Sequence, residues 1–216
     1  SRDGAPYYLD GDVYVQSNGY ENKTPILNIE SGTTVLFNNG KRILVNNENN
    51  INHKGALQAD GVTFMSRDSS NYYHNGLLFK SETVDSLTYV RNCIFKHADI
   101  AINVQSSNPS ITDNLFEFNS TAIHGDGGAS PIITGNLFKN NTGYSIHTYP
   151  QRIRGNIYGN TYENNTRQYI HVADGTLNED MTYEWLRDGV PYYINTDVHV
   201  QSDNDINKTP ILNIES

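Results

Sequence analysis

Three histidines recur at nearly even spacing, His124, His147 and His171, and each directly follows an isoleucine (Ile123, Ile146 and Ile170). An imidazole that titrates near neutrality can serve as a general base or a metal ligand, so this column is the sharpest chemical feature of the chain. Asp126, inside Gly125-Asp126-Gly127-Gly128, joins His124 and His147 in the nearest cluster that could carry acid–base work, and Arg152 and Arg154 follow at a nearby turn. No paired-carboxylate motif accompanies them, and an Asp flanked by glycines is first of all a turn former. Tyr144, Tyr149 and Tyr169 stand near the histidines, and a tyrosine offers a flat apolar body with a polar tip to a sugar. The candidate catalytic residues are therefore His124, Asp126 and His147. The candidate ligand contacts are His124, His147, His171, Tyr144, Tyr149 and Tyr169. The competing reading is a solvated polar ladder with no chemistry.

What positions these residues is a repeated sentence. It reads V-R-N-C-I-F-K-H from Val90, I-T-D-N-L-F-E-F-N from Ile111, I-T-G-N-L-F-K-N-N from Ile133 and I-Y-G-N-T-Y-E-N-N from Ile157. The copies start 21, 22 and 24 residues apart (90→111→133→157) and each reaches a second apolar anchor at Ile102, Ile123, Ile146 or Ile170. That period is too short for a βαβ unit and suits a solenoid of stacked β coils. Stacked at about 4.8 Å, equivalent residues form columns: Phe95, Phe116, Phe138 and Tyr162 as an aromatic core, and Asn114, Asn136 and Asn160 as an amide ladder that supplies its own partners. Cys93 takes the ladder slot in the first copy and reads as a buried, unreactive thiol. Lys96, Glu117, Lys139 and Glu163 alternate in sign, which parallel stacking favours. The same alternation turns each Ile inward and each His outward. Three coils then spread the outer histidines about 9–10 Å apart at Cα, awkward for one ion that wants about four close ligands. No metal and no cofactor is expected.

The 216 residues include 29 Asn, 15 Tyr and 17 Gly, with no strong helical periodicity, which points to β structure with many turns. A net charge of −9 argues against nucleic acid, whose phosphates call for clustered Lys and Arg. No apolar run approaches the roughly 20 residues of a membrane span, and no signal peptide is visible. Five sequons, at Asn22, Asn119, Asn140, Asn164 and Asn207, mildly favour the cell exterior. His53, His74, His97 and His199 show no partnership, and Tyr72-Tyr73 sit in a loop.

Upstream, Val13–Val15, Pro25–Ile29, Thr34–Phe37, Ile43–Val45, Ala56–Gln58, Val62–Met65, Leu77–Phe79 and Leu87–Val90 are expected as strands. Asn18-Gly19, Asn39-Gly40 and the polar stretches 46–52 and 66–71 break them up. Downstream, residues 173–185 read as an acidic, irregular linker, with Trp185 as a cap over a coil end. Residues 186–216 then restate 1–31 at a constant offset of 185, with 21 identities in 31 positions, and Thr209–Ser216 repeats Thr24–Ser31 without a change. The organisation expected is one unit over 1–172, a linker or cap over 173–185 and the start of a second tandem unit over 186–216. With coils of the length just described, a unit would hold about eight of them. A chain that opens without Met and stops inside a strand pattern reads as a piece of a longer array.

The pattern W-x-x-D-G-x-P-Y-Y, then L-x-I-x-x-G-T-x-V-x-F from Leu27 to Phe37, then G-A-L-x-A-D-G-V-T-F over Gly55–Phe64, resembles the opening of right-handed parallel β-helix proteins. The I-x-G-N-x-F-x-x-N coils resemble repeats of the pectate-lyase-like and NosD-like superfamily, over nearly the whole chain. The resemblance implies an all-β, single-stranded right-handed parallel β-helix, of a kind common in surface-layer, sheath and adhesin proteins of archaea and bacteria. It implies an extracellular structural module whose partners are copies of itself or adjacent tandem units, and cell-surface glycans. Because the superfamily also holds lyases and hydrolases, it leaves a polysaccharide-binding or polysaccharide-degrading enzyme as the alternative.

Overall fold

The computed structural model describes residues 4–18, 23–46, 53–68, 74–202 and 205–215. The sequon at Asn22, the Tyr72-Tyr73 pair, Gly19 and the parts 47–52 and 69–71 of the two polar stretches lie outside them.

Down to Ile170–Val172 the chain winds through three parallel sheets in strict rotation. Tyr7–Leu9 opens sheet A, Val13–Val15 sheet B and Ile26–Ile29 sheet C, and the chain returns to sheet A at Thr34–Phe37. Seven strands accumulate in sheet A down to Thr161–Glu163, and six in sheet C down to Ile157–Tyr158. Sheet B ends with Ile146–Thr148, Ile170–Val172 and Tyr192–Ile194. Every strand pairing among the described residues is parallel, and the register is the one the repeat dictates: Val90, Ile111, Ile133 and Ile157 stack on one another, as do Ile102, Ile123, Ile146 and Ile170.

Among the described residues the unit shows seven turns of sheet A, not eight. One column of sheet A runs Tyr7, Val35, Phe64, Phe95, Phe116, Phe138 and Tyr162. Its first three steps (7→35→64→95) are longer than the three that follow (95→116→138→162). The early turns carry polar insertions between sheets that leave the stacked strands unchanged.

The core is the stacked interior. Phe64, Phe95, Phe116, Phe138 and Tyr162 lie ring over ring at centroid spacings of 4.9, 5.0, 5.2 and 5.2 Å, with interplanar angles of 12–19°. The four phenylalanines are fully buried, and burial of a side chain this size contributes about 1.5–3 kcal/mol. His74, in the coil of Phe64, stacks on Phe37 at 4.5 Å, accepts the Gly76 N–H on Nδ1 and bonds the Lys96 carbonyl through Nε2. Those two bonds and a dry surrounding make it a satisfied core histidine, with burial pulling its pKa down to about 4.

Two of the three corners of each coil use one device. A residue in the left-handed region is followed by a buried ladder residue. At the C-to-A corner the turning residues are Asn92, Asp113, Gly135 and Gly159, followed by Cys93, Asn114, Asn136 and Asn160. At the A-to-B corner they are His97, Phe118, Asn140 and Asn164, followed by Ala98, Asn119, Asn141 and Asn165. Gly, Asn and Asp adopt this backbone at least cost, which is why the repeat spells G-N and N-N at these places. Within each ladder the lower Asn accepts on Oδ1 both the backbone N–H and the side-chain amide of the Asn one coil above, at 2.9–3.1 Å, and sends its own Nδ2 to a strand carbonyl, as Asn136 does to Ile111. The second ladder, Asn119–Asn141–Asn165, goes beyond what the repeat had suggested. Cys93 donates its N–H to Asn114, and burial raises its thiol to about 11, in keeping with an inert group. Lys96–Glu117 and Lys139–Glu163 form ion pairs at 2.9 and 3.2 Å.

Residues 173–185 correct the expectation of an irregular linker. Gly175–Leu177 and Thr182–Trp185 are strands, and they carry Val198–Val200 and Ile211–Ile214 in parallel register. Inward–outward alternation is plain at Thr182–Trp185, where Tyr183 and Trp185 are buried and Thr182 and Glu184 exposed. Asp and Glu line the segment because only its outward positions are charged.

Candidate functional site

The outer face of sheet B carries the histidine column. Strand register stacks Asn103, His124, His147, His171 and Tyr193 in that order. The alternating isoleucines are fully buried, so the outward placement of the histidines follows directly from the strand period. The rings of His124, His147 and His171 stack at 4.5 and 4.8 Å, with interplanar angles of 15° and 25°. Face-to-face stacking turns π faces toward one another and leaves the ring nitrogens at the edges, which does not converge them on a single ion.

Tyrosines flank the column, Tyr144 and Tyr169 from the A-to-B corners and Tyr149 from the exit of sheet B. Tyr144 lies 4.5 Å from His171 and 6.4 Å from Tyr169, Tyr169 lies 4.6 Å from Tyr193, and Tyr149 meets His147 edge-on at 6.0 Å. The Arg167 guanidinium covers Tyr144 at 4.2 Å, a cation–π contact. All six expected ligand-contact residues therefore fall on one strip. Tyr193 and Arg167 join it, and sequence reasoning missed both. Tyr193 enters only because the restated segment 186–216 is laid on the coil above. Arg167 stands in the A-to-B corner where the coil above has Gly143, so the repeat itself gives no hint of it.

Burial lowers all three histidines; for His147 the neighbouring His124 and His171 add to it and bring the pKa to about 4. The Nδ1 atoms of His124 and His147 are buried without a hydrogen-bond partner, a desolvated state that favours the uncharged ring.

The expected catalytic trio is differently employed. Asp126 opposes the burial effect on His124 through its charge, but its Oδ1 accepts the Gly128 and Ser106 N–H groups at 3.0 and 3.2 Å. It builds the turn that leaves sheet B. A Cβ at Gly128 would fall 2.0 Å from the Ser106 hydroxyl, so the Gly-rich stretch is a close approach of two coils. Arg152 donates to the Gly127 carbonyl. Arg154 pairs with Glu179 at 2.7 Å and covers the Tyr183 ring, tying the final coil to the one above.

A second built feature lies at the start of the restated segment. Asp188, 2% exposed, receives the Asn160 backbone N–H at 2.8 Å, its side-chain amide at 2.9 Å and the Tyr162 hydroxyl at 2.6 Å. A carboxylate only accepts, so it ends the amide ladder where a further Asn would leave its own amide donors to satisfy. Val190 and Tyr192 pack beneath the core, and Tyr192 meets Trp185 at 5.2 Å.

Three stacked parallel sheets, repeating corners and internal Asn ladders define a parallel β-solenoid. Residues 26–184 match the family described as right handed beta helix region, and the chain belongs to that family. The match runs through the segment that the sequence alone suggests is a linker. No curated protein and no solved structure was found to match the chain.

Proposed function

We propose that this chain is a structural module of a tandem-repeat rod on the cell exterior, of the surface-layer, sheath or adhesin kind, with copies of the same unit as its neighbours. One observation carries the reading: the strands of segment 186–216, which restates 1–31, are laid in register as the next coil rather than folded into a lid. A solenoid whose sequence starts again at its own lower end is built to continue. Asp126, Arg152 and Arg154 are engaged in turns and inter-coil contacts, and the candidate histidines stack ring on ring along a strand face. Antibodies against the folded chain should label intact, unpermeabilised cells of the source organism, and the purified chain should release neither reducing ends nor unsaturated uronates from polysaccharides. Labelling only after permeabilisation, or turnover abolished by His147→Ala, would overturn the reading.

A second reading is supported by the contiguous aromatic strip of Tyr144, Tyr149, Tyr169, Tyr193, His147 and His171. Flat rings in a row, with Tyr144, Tyr149, Tyr169, Tyr193 and His147 partly exposed and His171 buried behind them, suit the faces of a glycan chain. On this reading a glycan array scores binding that Tyr169→Ala weakens at least tenfold. Binding unchanged in that variant would exclude the strip.

A further inference from the structure

Both ends of the solenoid open on apolar mouths. The upper one, about 950 Å³, is ringed by Leu9, Val13, Leu27, Ile29, Val35 and Ile43. Above it the top strands of the three sheets, Tyr7–Leu9, Val13–Val15 and Ile26–Ile29, each have one edge unpaired among the described residues. Such edges and such a mouth call for a cover. The chain contains a picture of that cover, because the three strands are restated downstream (7→192, 13→198, 26→211) and are covered there. Tyr192–Ile194 lies under Ile170–Val172, Val198–Val200 under Gly175–Leu177, and Ile211–Ile214 under Thr182–Trp185. The positions that ring the upper mouth as Leu9, Val13 and Leu27 recur as Ile194, Val198 and Leu212. Over the second set sit Val172, Gly175 and Tyr183, of which Val172 and Tyr183 are fully buried.

From this we infer that the upper mouth is the seat of the 170–185 coil of a preceding copy of the unit, in a register that the lower junction displays: Ile170 on Tyr7, Gly175 on Val13 and Thr182 on Ile26. The inference rests on the tandem-rod reading and gives it an interface. It also carries a geometrical step. Tyr7–Leu9 belongs to sheet A, yet its restatement Tyr192–Ile194 is laid on sheet B. The crossing is short: the coil above runs from Asn160 to Ile170 to reach sheet B, whereas the restated segment needs only Asp188 to Tyr192. The chain therefore cuts across the end of sheet A and re-enters one face further on. Repeated at every junction, the step winds equivalent faces around the rod, so the histidine strips of successive units point to different sides.

The test keeps the whole chain and adds a second copy of residues 170–185 directly before Ser1, the position the constant offset assigns. One variant carries Glu184→Cys in the added copy and Asn28→Cys in the chain. In the lower junction the equivalent residues, Glu184 and Asn213, are direct partners, and a parallel pair about 4.8 Å apart lies within disulfide range. Under mild oxidation this pair should close essentially completely, while a variant with Glu30→Cys in place of Asn28→Cys should not. Amides of the added strands should also exchange at least a hundredfold more slowly than in an unstructured tail. Absence of the crosslink with free-tail exchange overturns the inference, and so does equal crosslinking at position 30. Neither result depends on where in the cell the protein resides, so failure of the surface assignment and failure of the interface are told apart.

Discussion

Asn160 gives both its backbone N–H and its side-chain amide to Asp188, 28 residues later, at 2.8 and 2.9 Å. The first acid of the restated D-G-x-P-Y-Y motif is thus the last acceptor of the previous unit's amide ladder. A motif that in sequence could pass for a catalytic loop is a joint.

Removing that acceptor leaves the Asn160 donors and the Tyr162 hydroxyl without a partner in a dry site. Asp188→Ala should therefore lower stability by about 3 kcal/mol, at the upper end for unsatisfied buried groups. Asn160→Ala combined with it should cost much less than the sum, because the two share their bonds. Urea unfolding of the two single variants and the double variant measures both quantities.

Phe116 sits midway in the aromatic column, 5.0 Å from Phe95 and 5.2 Å from Phe138. Phe116→Ala opens a cavity between two rings and should cost about 3–5 kcal/mol. Exposed Phe118, 43% accessible, is the internal control. Its outward position predicts a loss several-fold smaller on replacement by Asn, a residue better suited to its left-handed backbone. Thermal unfolding of the pair decides.

Acid should weaken the fold through its histidines. His74 and His147 take up a proton only near pH 4 when folded, whereas an unfolded histidine does so near 6.5. Between those values unfolding binds protons, so stability is full above about pH 6.5 and declines as pH falls toward 4. For buried His74 the decline amounts to about 3 kcal/mol; half-exposed His147 adds a smaller, screened share. NMR titration should show both rings still neutral at pH 5.5, and an ordinary titration near 6.5 would contradict the packing described.

The sequons separate by burial. Asn119 is a fully buried ladder residue, while Asn164 is exposed at a corner. When the chain is secreted from a glycosylating host, glycopeptide mass spectrometry of the folded fraction should find Asn164 modified and Asn119 bare. A glycan on Asn119 in folded material would contradict the ladder.

Between Val90 and Val172 the fold is legible because like stacks on like. The Phe and Asn positions mark two columns, and the Lys96, Glu117, Lys139, Glu163 alternation checks their phase. The first three coils are less so: polar insertions between sheets stretch their steps and hide the period, so that a uniform coil length counts eight turns where seven exist. The second amide ladder is present in the text as Asn119, Asn141 and Asn165 at the same offsets, but N-N reads first as a turn. Residues 173–185 lack the ladder residues altogether, so only the alternation of Thr182, Tyr183, Glu184 and Trp185 betrays a strand. The histidine strip follows from period-two alternation. Its lower end at Tyr193 does not, because that contact depends on the change of sheet at the junction.

The central claim is that the last coil is stacked, in register, beneath the one before it. Glu184 and Asn213 face outward as direct partners across that joint, and Cys93 is buried and inert. Oxidation of the Glu184→Cys, Asn213→Cys variant of the intact chain should give one intramolecular disulfide in nearly every molecule, with the fold retained. Free thiols at both positions after oxidation, in a protein that otherwise unfolds as the parent does, would contradict it.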